Sequence, residues 1–600
     1  MDTDNLEKVM KYSWNLNLLF DSYNDPAIDL ELENLLKGSS EFKDKWHLYF
    51  AENTKYCLDS VLESILDYEA YISKFGITKA ELYAALFLEL NQNSNEAKLL
   101  DKKVEATRER ANNNTIFYLL AISRLPKEVQ IQILNSSAFA KWKHFLNRCF
   151  TEGEHLLSEK EEKVLNMKES TSRTNWIKLT TELIDNEEMI SLDESNQEVK
   201  MPFNTLLSLT TSTNKSAREL AIKNVVQIFE KHSSVATAEL NSILQDKAST
   251  DELRNFQFVD QERVLDDDLE KEIVDTLIQV VSENFDISQK FYKLKSELLG
   301  KEKLEYPEKS IPISGVADET YDYTEACRIV RKVFDNLDSE FTEIFDDFLD
   351  SSRIDVYPKK GKGGGAFCMT TTPSLPIWIM LNYTGKQRDI LTIAHEMGHG
   401  INGTFTNRKY TDDPLNASHS TCTAEVASTF FEDFVLEEMK STQKPEELLS
   451  LKFRRLDDEV STIFRQIACY KFELELNETF RRTKYLSNED IGSIFKEHMK
   501  SYLGESINLE GYENFWIHWS HIRMHFYVYS YAFGLLVSKI LQAKVRENRQ
   551  NIQMIKEFLS AGSDRSPNQI LLGLGIDLRD KATWAVGLEQ IRADVESIDL

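Results

Sequence analysis

The sequence predicts a mainly α-helical protein in two lobes, with a small β-sheet beside its functional site. Three observations predict this. The chain has 600 residues, more than one hydrophobic core ordinarily supports, so at least two packed lobes are expected. Glycine (21) and proline (11) are scarce, and a long chain with few breakers favours helices. Only from about residue 353 does the texture change, with clustered glycines and prolines and short β-prone runs.

The elements follow in order. The opening MDTDNLEKVMKYSW has no basic start followed by an apolar run, so no secretory leader is expected. In SVLESILDYEAYISKF (60–75) and ELAIKNVVQIFEKHSSVATAEL (219–240), apolar residues recur at three- and four-residue steps, the period of a helix with one buried face. Residues 1–200 therefore read as a helical N-terminal lobe, and long helices continue to about 345. The stretch RIDVYPKKGKGGGAFCMTTTPSLPIWIMLNY holds glycines at 361, 363, 364 and 365 and the β-prone run IWIMLNY (377–383). It predicts a small sheet with turns. GKGGGAFC (361–368) is not a phosphate loop, because it lacks the closing Lys-[Ser/Thr] pair. Helical texture resumes at Asp389 and runs to the end, with a proline-initiated helix start at Lys444–Glu447. A loop is expected at Asp564–Pro567 and a turn at Gly573 and Gly575. No fixed-period repeat is present.

Charge and cysteine usage exclude several classes. The net charge is −28, from 71 basic and 99 acidic residues. A nucleic-acid partner would need a basic face, and an anionic membrane surface would repel this chain, so neither is expected. No apolar run approaches the roughly 20 residues that span a bilayer. Cysteines at 57, 149, 327, 368, 422 and 469 form no C-x-x-C pair, which argues against a thiolate metal site and suits a cytoplasmic protein with reduced thiols.

The chemistry-bearing motif is HEMGH (395–399). His395 and His399 are four apart and share one helix face, so their imidazoles can take two corners of a zinc tetrahedron. Glu396 sits about 100° further round the helix, where it can take a proton from the attacking water without being a ligand. Such a five-residue string also arises by chance in helices with incidental histidines. A catalytic zinc needs a third ligand. TCTAEVASTFFEDFVLEEM (421–439) is a candidate second helix with Glu425 near its start, 26 residues after His399. The small residues Ala424, Ala427 and Ser428 would let the two helices approach. Glu432, two turns later on the same face, is a candidate partner for a ligand histidine. Taken alone, either glutamate also fits a solvated helix face. His419 and Cys422 flank this helix as spectators.

Taken together, these segments resemble the thimet oligopeptidase family of zinc metallopeptidases, above all its oligoendopeptidase F branch. IMLNYTGKQRDILTIAHEMGHGIN is similar to that branch's strand–turn–helix entry to the metal, and AEVASTFFE to its third-ligand helix. HIRMHFYVYSYAFG (521–534), SPNQILLGLGIDLRDKATWAVGLEQI (566–591) and the opening YSWNLNLLF resemble its later and first segments. One position departs: Asn402 stands where the family often has a further, non-ligating histidine.

The resemblance implies a helical, two-lobed zincin-type peptidase with a deep central channel, its catalytic domain spanning residues 201–600. It implies one Zn2+ per chain held by His395, His399 and Glu425, and hydrolysis of internal bonds in oligopeptides with Glu396 as general base. It favours His521 on the oxyanion side. Donors there stabilise the tetrahedral intermediate, and losing one typically costs about a hundredfold in rate. If HIRMHFYVYSY is helical, Tyr527 and Tyr531 share a face and are the preferred tyrosines, with His525 and Tyr529 as further substrate contacts. Substrate contact is also expected around Gly365 and Phe367, whose backbone could pair with an extended peptide. Two rival readings are a carboxydipeptidase acting from a free C-terminus and a non-catalytic peptide-binding helical scaffold.

Overall fold

A computed structural model describes residues 11–52, 55–313, 320–440 and 445–598. It is mainly α-helical, with three small sheets among the described residues. Packing groups the chain into two compact units, each assembled from three separated segments. The first comprises Met1–Glu154, Asp318–Thr442 and Leu541–Ile576; the second comprises His155–Ala317, Gln443–Ile540 and Asp577–Leu600. The units interleave along the chain, whereas the sequence suggests a single cut at residue 200, which falls inside the second unit. Local sequence texture carries no mark of where a chain returns to a unit it has left.

In the first unit, the periodic stretch from residue 60 lies in a helix spanning Leu58–Phe75, and Val61, Ile65, Tyr68, Tyr71 and Phe75 are buried as its spacing requires. They join Phe42, Tyr118 and Trp142 in an aromatic core. The small sheet is where the glycines and β-prone runs place it. Strands β1 (Ile354–Asp355), β2 (Phe367–Met369) and β3 (Trp378–Met380) lie in the order β1-β3-β2. The β1–β3 pair is parallel and the β2–β3 pair antiparallel, so β2 is an edge strand. Trp14 ties the N-terminal segment to this sheet: its indole N–H donates to the Ile379 carbonyl at 2.8 Å, and its ring meets Trp378 edge-on. Two helices follow, α1 (Gln387–Lys409) and α2 (Thr421–Lys440).

The second unit is built on the long helix Lys215–Leu253, capped by the Asn214 side chain. Its 219–240 segment carries the buried face that the spacing predicts. An antiparallel hairpin, Glu188–Leu192 with Glu198–Pro202, interrupts the helices expected there. The Asp193–Asn196 turn, with Asn196 at φ 60°, is the local signal for it. A short parallel pair joins Leu304–Glu305 to Ile507–Asn508. The helix Pro445–Val460 begins at the expected proline, Lys444 lying outside the described residues, and then passes through a π-turn, Ser461–Arg465. Helix α3 spans Tyr529–Glu547. In the Leu541–Ile576 segment of the first unit, the Asp564–Pro567 loop ends in a helix opened by Pro567, and Gly575 turns the chain at φ 77°. No described helix is long and apolar enough to cross a membrane.

Candidate metal centre

α1 and α2 cross closely because no side chain separates them at Gly398. A Cβ there would lie 2.6 Å from the Ser428 Cα and 2.8 Å from the Ala427 carbonyl oxygen. The small residues Ala427 and Ser428 thus provide the close approach that their size suggests. Gly403, one turn beyond the motif, lets α1 lie on the sheet: a Cβ there would meet Thr370 Oγ1 at 2.7 Å and Ile377 Cδ1 at 2.8 Å. Asn402 donates from its side chain to the Leu559 carbonyl at 2.7 Å, a fastening role with no metal contact.

The crossing brings His395, His399 and Glu425 together, each offering one ligand atom within 4.8 Å of the others. Glu425 Oε2 stands 3.4 Å from His395 Nε2 and 3.5 Å from His399 Nε2. Ligands about 2.0–2.1 Å from a tetrahedral ion stand about 3.4 Å apart, so the residues fit a metal of that geometry. The second oxygen of Glu432 lies 3.3 Å from His395 Nδ1, which fixes the ring with Nε2 toward the cluster. The Ser428 hydroxyl donates to Glu425 Oε2 at 2.8 Å. This support sits three residues after Glu425, one helical turn, a spacing that the sequence shows only as a small residue.

The electrostatics are those of a site built for positive charge. Burial opposes protonation of His395, yet the carboxylates of Glu432, Glu425 and Glu396 outweigh it and raise its pKa to about 9. Burial pushes Glu425 upward, but His399, His395 and Ser428 hold it at about 2. Glu396 is buried at 6 % exposure, and that burial raises its pKa above the ordinary carboxylate value. Edge strand β2 runs beside it, where the Cys368 thiol is pushed upward by burial and by Glu396. His419 is held neutral, down to about 4, by burial and by His399; its Nε2 lies 2.9 Å from the Thr406 hydroxyl, outside the metal cluster.

Gly365 takes φ 77° at the mouth of β2, a backbone conformation that demands glycine, and its carbonyl accepts from the Asn382 amide at 2.7 Å. Phe367 turns its ring onto Trp14, 6.2 Å between centroids.

The histidine–tyrosine segment lies in the second unit and is not one helix. A 3-10 turn, Ser520–Arg523, is followed by His525 and Phe526 at φ 44° and 61°, and α3 begins only at Tyr529. Two non-glycine residues in the left-handed region are a strained arrangement that surrounding structure must hold. Buried Glu473 accepts the Phe526 N–H at 2.8 Å, and Arg523 pairs with buried Glu239. His521 Nε2 lies 3.3 Å from the Tyr531 hydroxyl, and the Tyr527 and Tyr531 rings meet edge-to-face at 5.2 Å. Tyr529, expected as a substrate contact, is fully buried here and its hydroxyl donates to Asp267 at 2.6 Å, the setting of a core residue. His525 is held neutral, down to about 3, by burial and by Lys247 and Arg173.

A profile of Peptidase family M3 matches residues 208–589, and a second, described as Oligopeptidase F, matches 122–185. The chain belongs to peptidase family M3. Membership makes it a metalloendopeptidase, a hydrolase of peptides. Similar proteins include an oligoendopeptidase F homolog of Borreliella burgdorferi, 24% identical over 602 residues that cover 98% of this chain and 97% of the relative. Oligopeptidase PepF of Bacillus subtilis is 22% identical over 96% of this chain and 85% of its own length. The fold is shared with a crystal structure from Chlamydophila abortus (TM-score 0.85, 20% identity, 97% of both chains). It is also shared with oligoendopeptidase-F from Enterococcus faecium (TM-score 0.67, 18% identity, 94% of this chain and 97% of that one).

Proposed function

We propose that this chain is a zinc-dependent oligoendopeptidase that cuts internal bonds of short peptides, with Glu396 as general base. The observation that carries this reading is the spacing of His395 Nε2, His399 Nε2 and Glu425 Oε2 at 3.4 and 3.5 Å, with Glu396 beside them. Two imidazoles and a carboxylate suit zinc. Bound zinc supplies a Lewis acid that acidifies water and polarises the scissile carbonyl.

The chain's own residues do the rest. Glu432 fixes the His395 tautomer. Glu396, its affinity for a proton raised by burial, takes the proton of the attacking water and passes it to the leaving amine. His521, Tyr527 and Tyr531 donate to the oxyanion. Edge strand β2 offers backbone groups from Gly365 onward to an extended peptide, while Phe367 keeps its ring inward; in the second unit, His525 stays neutral. Oligopeptides are the partners; the strongly acidic composition disfavours nucleic acid and anionic membranes. Six free cysteines suit a cytoplasmic setting.

Glu396→Gln tests the assignment on a fluorogenic peptide blocked at both ends. Turnover is expected to fall by about a hundredfold or more while zinc content is unchanged. Undiminished turnover removes Glu396 from the role of base. A wild-type enzyme that leaves the blocked peptide uncut yet trims free C-termini would instead be a carboxydipeptidase.

A further inference from the structure

The second unit contains a cation, Arg465, that no carboxylate among the described residues pairs with. The π-turn Ser461–Arg465 carries Arg465 inward, and such turns often mark functional sites because they re-aim one side chain out of helical register. Among the described residues, no carboxylate stands within ion-pair distance of Arg465. Its Nε is shielded from solvent and has no hydrogen-bond partner. Its surroundings are aromatic and neutral: the Cys469 thiol, the phenols of Tyr306, Tyr502 and Tyr292, and the Trp519 ring 5.9 Å from the guanidinium carbon.

Arg465 is half-buried, whereas the more deeply buried Arg523, Lys539 and Lys295 of this unit are paired, with Glu239, Glu459 and Asp457. Lys309 shares the neighbourhood, its ammonium 3.9 Å from the Tyr306 ring centroid. It too has no bonded carboxylate among the described residues. Burial and Arg465 bring the Lys309 pKa down to about 7, so Arg465 is the lasting positive charge of this neighbourhood, an excess in a chain of net charge −28. Withdrawing a guanidinium from water without an anion is costly, so such a group is ordinarily retained where an anion comes to it.

The excess sits beside a segment already assigned to substrate. The Trp519 ring lies 6.2 Å from the His521 ring. Trp519 Nε1 and His521 Nδ1 are buried N–H or ring-nitrogen groups without partners. The positive field reaches this segment: His521 is pushed below the ordinary imidazole value by burial and then by Arg465.

We infer that Arg465 receives a carboxylate of the peptide substrate, beside His521. An arginine fork matches a carboxylate with two parallel charge-assisted bonds. The carboxylate can come from the peptide's own C-terminus or from an internal Asp or Glu. The inference rests on the peptidase reading of His521, and it adds which chemical class of peptide that site prefers.

The test uses the zinc-loaded full chain and two matched peptide pairs. One pair differs only in a C-terminal carboxylate or amide; the other differs only in an internal Glu or Gln, scanned across positions around the cut. Wild type is expected to favour the charged member of at least one pair by about tenfold or more in kcat/KM, chiefly through KM. Which pair responds identifies the source of the carboxylate. Arg465→Met should bring that ratio to near one, and Arg465→Lys should keep its direction at reduced size. Circular dichroism checks that the variants fold. If Arg465→Met does not fold, the wild-type ratios and Arg465→Lys still decide. Equal rates for both members of both pairs in wild type overturn the inference, as does a ratio unchanged in Arg465→Met. A wild type that cuts no peptide at all strikes the peptidase reading itself, which is a different outcome.

Discussion

At the scale of the residue, His395 couples metal binding to protons. Its pKa of about 9 in the metal-free site means that an entering ion must displace a proton over most of the accessible pH range. The sign follows directly. Below that pKa the imidazole is occupied by its proton, and apparent zinc affinity should rise by about one log unit per pH unit until it levels near the pKa. Glu432→Gln removes the first of the carboxylates that raise the pKa, so its plateau should begin at lower pH. Competition titrations against a chromophoric chelator read both curves. An affinity that is flat with pH would mean that the His395 proton does not compete. Tyr529 makes a related point at the same scale. Two hydroxyls two residues apart, Tyr527 and Tyr529, meet different surroundings because one precedes α3 and the other begins it.

At the scale of the element, the α1–α2 crossing is the device that assembles the site, and Gly398 is its closest point. The atoms that an added methyl would strike belong to the backbone of α2, which cannot rotate away as a side chain could. Gly398→Ala should therefore cost about 1–3 kcal/mol, as overpacking in a tight core does. Because Glu425 rides on the displaced helix, zinc should bind more weakly too. Urea denaturation with and without zinc separates the two effects; a variant of wild-type stability and affinity would show that the crossing yields readily. The crossing was legible in the sequence because it rests on small residues at known offsets from HEMGH. The π-turn that aims Arg465 was not. An arginine in an amphipathic stretch reads as solvated, and only the three-dimensional lack of an acid beside it among the described residues reveals otherwise.

At the scale of the whole molecule, what could be read in advance was whatever depends on local spacing. The helices around residues 60–75 and 219–240, the strand within 377–383 and the pair of helices bearing His395, His399 and Glu425 all follow from period and composition. What could not be read depends on pairings distant in the chain. The interleaving of two units across three segments each, and the parallel pairing of Leu304–Glu305 with Ile507–Asn508, leave no local trace. The hairpin at Glu188–Pro202 does leave one, in its turn residues, but the helical texture on both sides masks it. The left-handed backbone at His525–Phe526 belongs to the first kind of failure, since Glu473 and the Arg523–Glu239 pair hold it from elsewhere in the unit.

The central claim is that one zinc ion joins two elements through three side chains, and X-ray absorption at the zinc edge of the purified, active chain tests it most directly. The account predicts one zinc per chain, with two imidazole nitrogens and a carboxylate oxygen near 2.0–2.2 Å and the carboxylate contribution gone in Glu425→Ala. An active preparation without stoichiometric zinc, or one whose zinc shell contains no imidazole, would contradict it.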